Sequence, residues 1–226
     1  MNHASRNRLT ERQLERFPGE SLFDRIARAV CRAGCLPRKE LFEAWEVARR
    51  VRRRFRGGRV IDLACGHGLA ASILVLLDDS SPLAIGIDRA LPPSAAKLQA
   101  TLEQAWPRLA GRVELCCGEL EEVTLTAADL VVSVHACGPL TDRVIELAIA
   151  ARARLAVLPC CHDLASGGGA ELRGWLDGAL AMDVARAARL QAAGYRVTTQ
   201  TIPAGITPKN RLLLAEPLGI PPRETP

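Results

Sequence analysis

The chain has 226 residues, is 48% hydrophobic and 4% aromatic, and carries a formal charge of +5. That size and apolar content support a sizeable core, which excludes a disordered tail or a disulfide-stapled miniature. No stretch is long and apolar enough to span a bilayer, and the opening Met1-Asn-His-Ala-Ser-Arg-Asn-Arg8 has no apolar run behind it resembling a signal peptide, so no membrane association and a cytoplasmic location are expected.

The first 58 residues read as a helical extension packed on a main domain spanning 59–226. Ser21 with Asp24 three residues later forms a capping pattern ahead of Leu22 to Val30, whose apolar residues recur at helical spacing. Gly34 and Pro37 break that helix. A second is expected from Arg38 to Phe55, with Leu41, Phe42, Trp45, Val47, Ala48 and Val51 on its apolar side and Gly57-Gly58 as its stop. Two short helices bury too little surface to stand alone, so both should dock on the domain behind them. The charge is concentrated here: residues 1–59 hold sixteen Lys or Arg against seven Asp or Glu, a surplus of nine, and the remainder has a deficit of four. Arg49, Arg50, Arg52, Arg53 and Arg54 are expected to meet an RNA backbone, the alternative being a solvated helix face.

From Arg59 strands and helices alternate, the pattern of a parallel sheet with right-handed crossovers. Val60-Ile-Asp-Leu-Ala-Cys-Gly-His-Gly-Leu-Ala-Ala71 reads as a buried strand, a glycine turn and a helix from about Leu69 to Leu77, whose free amides point back at the turn. Asp62 lies inside that strand, where a carboxylate needs a cationic or hydrogen-bonding partner. Asp88 ends the second apolar run, Leu83 to Ile87, and Glu119 follows the third, Val113 to Gly118. Further strands are expected at Ala128–Val134 and Leu155–Cys160. After a glycine-rich loop at Gly167–Gly169 comes a helical stretch to Ala193. Arg196–Ile202 and Arg211–Glu216 then form a hairpin, and the proline-rich tail from Pro217 is loosely held.

Three acidic residues near the ends of three successive strands, with the glycine turn and the terminal hairpin, resemble the class I S-adenosylmethionine-dependent methyltransferases. The resemblance implies a Rossmann-like, doubly wound α/β sheet of seven strands, mostly parallel with an antiparallel C-terminal hairpin. It also implies a donor held by Asp62, Ala64, Cys65, Gly66 and Gly68 in the turn, by Asp88 and Arg89, by Glu119 and Leu120, and by His135. One position departs from the family pattern: Ala64 stands where a glycine is usual. Gly66-x-Gly68-x-x-Ala71 with Asp88 also fits a relaxed NAD(P) fingerprint, which leaves an NAD(P)-dependent oxidoreductase, or a module that binds cofactor or metal without catalysis, as alternatives.

Val134-His-Ala-Cys-Gly-Pro139, Leu158-Pro-Cys-Cys-His162 and Ile206-Thr-Pro-Lys-Asn-Arg211 are similar to segments of a narrower group. That group comprises the methyltransferase domain of the glutathione S-transferase C-terminal-domain-containing protein and related tRNA-modifying-like enzymes. His135 and Cys137 follow the fourth strand, where this fold places its acceptor loop, so His135 is a candidate base, or a loop-shaping residue, and Cys137 and Cys160 are candidate catalytic thiols. Cys65, His67, His135, Cys137, Cys160, Cys161 and His162 all end neighbouring strands and offer zinc-type ligands. No pair has CxxC spacing and successive strand residues face opposite ways, so no metal is assigned, and the eight cysteines are read as reduced, mostly small core residues. Lys209, Asn210 and Arg211 are candidates for substrate contact or for turn geometry, with the structural reading favoured, and Asp183 with Arg186 reads as an exposed helical pair. The expected activity is methyl transfer from S-adenosylmethionine, with RNA favoured over protein or a small molecule as acceptor. Nothing in the sequence sets the oligomeric state.

Overall fold

In the computed structural model, residues 3–164 and 168–219 are described. The strands are β1 (Val60–Leu63), β2 (Ala84–Asp88), β3 (Val113–Cys117), β4 (Leu130–Ser133), β5 (Arg154–Val157), β6 (Tyr195–Thr201) and β7 (Arg211–Pro217). They form one sheet in the order β3-β2-β1-β4-β5-β7-β6. The first five are parallel, and β7 pairs antiparallel with both β5 and β6. The chain winds outward from β1 to β3, then returns to lay β4 beside β1. That reversal opens a crevice at the C-terminal ends of β1 and β4, the place where open α/β sheets bind ligands.

Six helices cover the sheet: α1 (Leu22–Ala33), α2 (Arg38–Arg54), α3 (Leu69–Leu77), α4 (Ala95–Ala105), α5 (Pro139–Ala151) and α6 (Gly178–Ala192). On one face α2 packs on α3 and α1 on α4, so that Ile26, Val30, Val47, Val51 and Leu74 join β1 Val60 in a single core. On the other, α5 and α6 bury Val144, Ile145 and Leu190 against Ile61, Val131 and Leu155. Coverage on both sides explains why β1 and β4 are apolar at nearly every position and buried at all of them. The Ser21 hydroxyl accepts the Asp24 amide at 3.1 Å, and Gly34 closes α1 at φ 67°, donating to the Val30 carbonyl. No helix among the described residues is long and apolar enough to cross a membrane.

Several expectations shift. β5 stops at Val157, three residues before Cys160, because Pro159 has no amide to continue a ladder, so Cys160 and Cys161 lie in a loop. Behind the described part of the glycine-rich loop, Ala170–Leu172 makes a 3-10 turn and Asp177 caps α6 through the Ala179 and Leu180 amides. Gly167, and the tail beyond Gly219, lie outside the described residues. Cys116 and Cys117 are exposed rather than buried, because β3 is the sheet's edge strand.

The arginine run is largely engaged in intramolecular contacts. Arg52 is buried, with its guanidinium on Asp78 at 3.1 Å, the Leu74 carbonyl at 3.0 Å and the Ser81 hydroxyl at 2.8 Å, and burial pulls its pKa down to about 10. It fastens α2 to α3 and cannot reach a nucleic acid, which removes it from the five arginines expected there. Arg49 and Arg50 pair with Glu46, and Arg54 pairs with Glu216. Arg53 is exposed.

Candidate functional site

The turn after β1 is held by two carboxylates on two amides. Asp62, 1% exposed, accepts the amide of Ala71 in the first turn of α3 at 3.2 Å. Burial raises its pKa to about 7 against the pull of that amide, with Asp88 adding to the rise. Asp88 receives the Gly66 amide at 2.9 Å on one oxygen and the Ala90 amide at 3.2 Å on the other. Gly66 and Gly68 both have positive φ, 54° and 70°. A Cβ on Gly66 would meet open space, whereas one on Gly68 would sit 2.4 Å from Leu115 Cδ2, so Gly66 keeps its backbone bare toward the crevice and Gly68 permits close packing. Ala64 also takes the left-handed conformation, at φ 57°, a geometry costing an alanine about 1–2 kcal/mol. The departure from glycine thus preserves the shape of the turn and carries strain.

Beside Asp88, Arg89 and Glu119 face each other at 3.8 Å, both well exposed, and Leu120 is buried behind them. Asp62, Ala64, Cys65, Gly66, Leu69 and His135 line a cavity of about 30 Å³, together with Leu36, Glu40 and Ala44 from the front of the chain. Sequence reasoning missed this roof. Glu40 and Glu43 sit one turn apart beside the apolar stripe of α2, where they pass for solvated helix charges, yet Glu43 is 1% exposed. One Glu43 oxygen takes Lys39 Nζ at 2.6 Å and the other has no hydrogen-bond partner. Burial and the Glu43 charge raise the pKa of Glu40. His135, among these groups, has its pKa lowered by burial. A buried acid signals a site only once its helix is known to cover the crevice.

Of the seven Cys and His groups at these strand ends, three thiols come together. Cys65 turns its thiol toward Gly86 of β2, and His67 bonds Ser94 Oγ at 2.9 Å, so neither joins the others. Cys137 and Cys160 lie with their sulfurs 3.1 Å apart, and Cys160 and Cys161 3.8 Å apart. Burial first, then the neighbouring thiols, raise the Cys160 pKa far above the usual thiol range, which disfavours a free thiolate nucleophile there. His162 instead bonds Asp183 at 2.8 Å. Asp183 also receives Arg186 at 3.1 Å and Arg211 at 2.6 Å. The Asp183–Arg186 pair, expected to be exposed, is a buried brace tying α6 to β7 and to the loop after β5. Asn210 donates to the Ile202 carbonyl at 2.9 Å and closes the hairpin, in line with its reading as a turn residue.

The residues present suit an S-adenosylmethionine donor. Bare backbone at Gly66, a buried carboxylate at Asp62 without a cationic partner among its contacts, and a carboxylate at the tip of β2 match a ligand with a cationic amino-acid end and a ribose. A family model described as a methyltransferase domain matches residues 40–167, more than half the chain. No curated protein matches the sequence. Among solved structures the chain is similar to an O-methyltransferase family protein from Burkholderia thailandensis, with a TM-score of 0.54 and 19% identity over 92% of this chain and 63% of that one. It is also similar to a mitomycin 7-O-methyltransferase (0.51; 19%; 91% and 60%) and to a pyocyanin biosynthetic protein (0.51; 17%; 92% and 61%). The chain spans about three-fifths of the length of these proteins, and at such identities the likeness is one of fold.

Proposed function

We propose that the chain, a member of the methyltransferase-domain family, methylates RNA with S-adenosylmethionine as donor, the donor lying on the β1–β2 side of the crevice and the acceptor over the loops after β4 and β5. The observation that carries the donor placement is the buried Asp62 carboxylate beside the bare Gly66 backbone. S-Adenosylmethionine supplies a methyl group on a sulfonium that an in-line nucleophile can take. Asp62 would hold the cationic amino-acid end, Asp88 the ribose hydroxyls, and Arg89, Glu119 and Leu120 the adenine. His135 lines both the turn and the acceptor loop, where it would position the acceptor atom and take its proton. The cavity at the turn is only large enough for about one or two waters. Seating the donor's amino-acid end there would need the cavity to widen, and Leu36, Glu40 and His135 are among the residues that line it.

Support for RNA comes from the surplus of nine positive charges in residues 1–59, from exposed Arg53 and half-exposed Arg49, and from the likeness of the segments at 134–139 and 158–162 to tRNA-modifying-like relatives. Replacing Arg49 and Arg53 by alanine should weaken RNA binding and flatten its salt dependence by about 0.7 in log–log slope per arginine, measured by fluorescence anisotropy. The acceptor itself is tested by following labelled methyl from S-adenosylmethionine into RNA, protein and metabolite fractions. Label in RNA supports the reading. Label only in protein or metabolite overturns the acceptor, and nicotinamide binding in place of the donor overturns the activity.

A further inference from the structure

The thiols of Cys137, Cys160 and Cys161 come from two separate loops, after β4 and after β5, yet their sulfurs all lie within 4.8 Å of one another. Zinc–thiolate bonds of about 2.3 Å in a tetrahedral site place neighbouring sulfurs about 3.8 Å apart. The Cys160–Cys161 separation of 3.8 Å matches that spacing, and the Cys137–Cys160 separation of 3.1 Å is shorter than it.

The frame around the thiols is braced. The Gly138 amide donates to the Cys161 carbonyl at 3.1 Å, joining the two loops, and Thr141 Oγ1 holds the Ala136 carbonyl at 2.6 Å. Behind Cys161, His162 is fixed by Asp183, which Arg186 and Arg211 fix in turn. The thirteen-residue helix α5 begins at Pro139, so its N-terminal dipole favours negative charge at this corner. Two sequence-level objections to a metal fall away here. The absence of CxxC spacing is irrelevant when the third ligand arrives from another strand, and the alternation of side chains along a strand does not apply beyond Val157.

We propose that Cys137, Cys160 and Cys161 bind a soft divalent metal of the zinc class, with the fourth position left to water or an incoming ligand. On binding, three S–H bonds break, three metal–sulfur bonds form and three protons pass to solvent. The site ties the two acceptor loops together and stands independently of the methyltransferase reading.

The test uses full-length protein purified reduced and without a histidine tag, titrated with Co²⁺ and followed by its thiolate-to-cobalt charge-transfer absorbance. The expected result is saturation at one equivalent, reversal by Zn²⁺, and a loss of about a hundredfold or more in Co²⁺ affinity for each of Cys137→Ser, Cys160→Ser and Cys161→Ser. A Cys116→Ser, Cys117→Ser double variant should titrate like the native chain, and a native far-ultraviolet circular dichroism spectrum would show that the ligand variants are folded. A reduced native chain with no charge-transfer band overturns the site, as do serine variants that titrate unchanged. Mass spectrometry showing a Cys137–Cys160 disulfide in air, in protein that binds no cobalt after reduction, would equally overturn it.

Discussion

At the C-terminal ends of β1 and β2 the ligand-facing groups are carboxylates locked on backbone amides, Asp62 on Ala71 and Asp88 on Gly66, whereas at the ends of β4 and β5 they are thiols and imidazoles carried by loops. The first edge is preorganised by the sheet and by α3. Little there can move without breaking a hydrogen bond between elements. The second edge is held from outside, through Asp183 on α6 and Arg211 on β7. The contrast suits two tasks, gripping a donor of fixed shape at the first edge and receiving an acceptor at the second. It also predicts that damage to the two edges separates: donor affinity should follow the first and turnover the second.

The largest effect should come from Asp88→Ala, which removes the expected ribose contacts and frees the Gly66 amide. Two charge-assisted hydrogen bonds at about 1.5–3 kcal/mol each correspond to roughly a thousandfold loss of S-adenosylmethionine affinity by calorimetry. The Co²⁺ titration of the same variant should be unchanged, and a parallel loss would erase the division between edges. His135→Ala should lower kcat by about a hundredfold, the range for a positioned acid–base group, while donor affinity moves only a few-fold. Equal losses in kcat and donor affinity would assign His135 to the donor side alone.

A smaller effect is expected from pH. Asp62 has its pKa raised to about 7, so its charged form is disfavoured in the ligand-free chain. A cationic ligand end favours the ionised form and lowers that pKa. Below about pH 7 binding therefore expels a proton, and affinity should rise by up to about tenfold per pH unit toward 7 and level off above it. Asp62→Asn should flatten the profile, and a slope that survives the substitution would move the titration elsewhere. The smallest effect is at Ala64. Glycine there relieves left-handed strain and adds backbone entropy to the unfolded chain, for a net gain of about 1 kcal/mol or less in denaturant unfolding.

The edge at β1 and β2, proposed to hold the donor, was legible in the sequence because its signals are local. Asp62, Gly66 and Gly68 share one turn, and Asp88 and Glu119 each mark the end of an apolar run. The parallel part of the sheet and helix α3 follow from the alternation of strands and helices, and the seven-strand arrangement was implied by the family resemblance. The acceptor edge was not, because it is assembled from long-range contacts. Glu40 and Glu43 gain meaning only from where α2 docks, Asp183 only from the meeting of α6, β7 and His162, and the thiol cluster only from the termination of β5 at Val157. Arg52 misled for a related reason: a run of arginines gives no sign of which member the fold will bury.

The central claim is that the turn from Asp62 to Gly68 grips S-adenosylmethionine. Isothermal titration of the purified chain with S-adenosylmethionine, S-adenosylhomocysteine and NADP tests it directly. The account predicts one equivalent of each adenosyl ligand bound, weakened by about a thousandfold in Asp88→Ala, and no heat from NADP. Binding of NADP alone, or of the adenosyl ligands with undiminished affinity in Asp88→Ala, would contradict it.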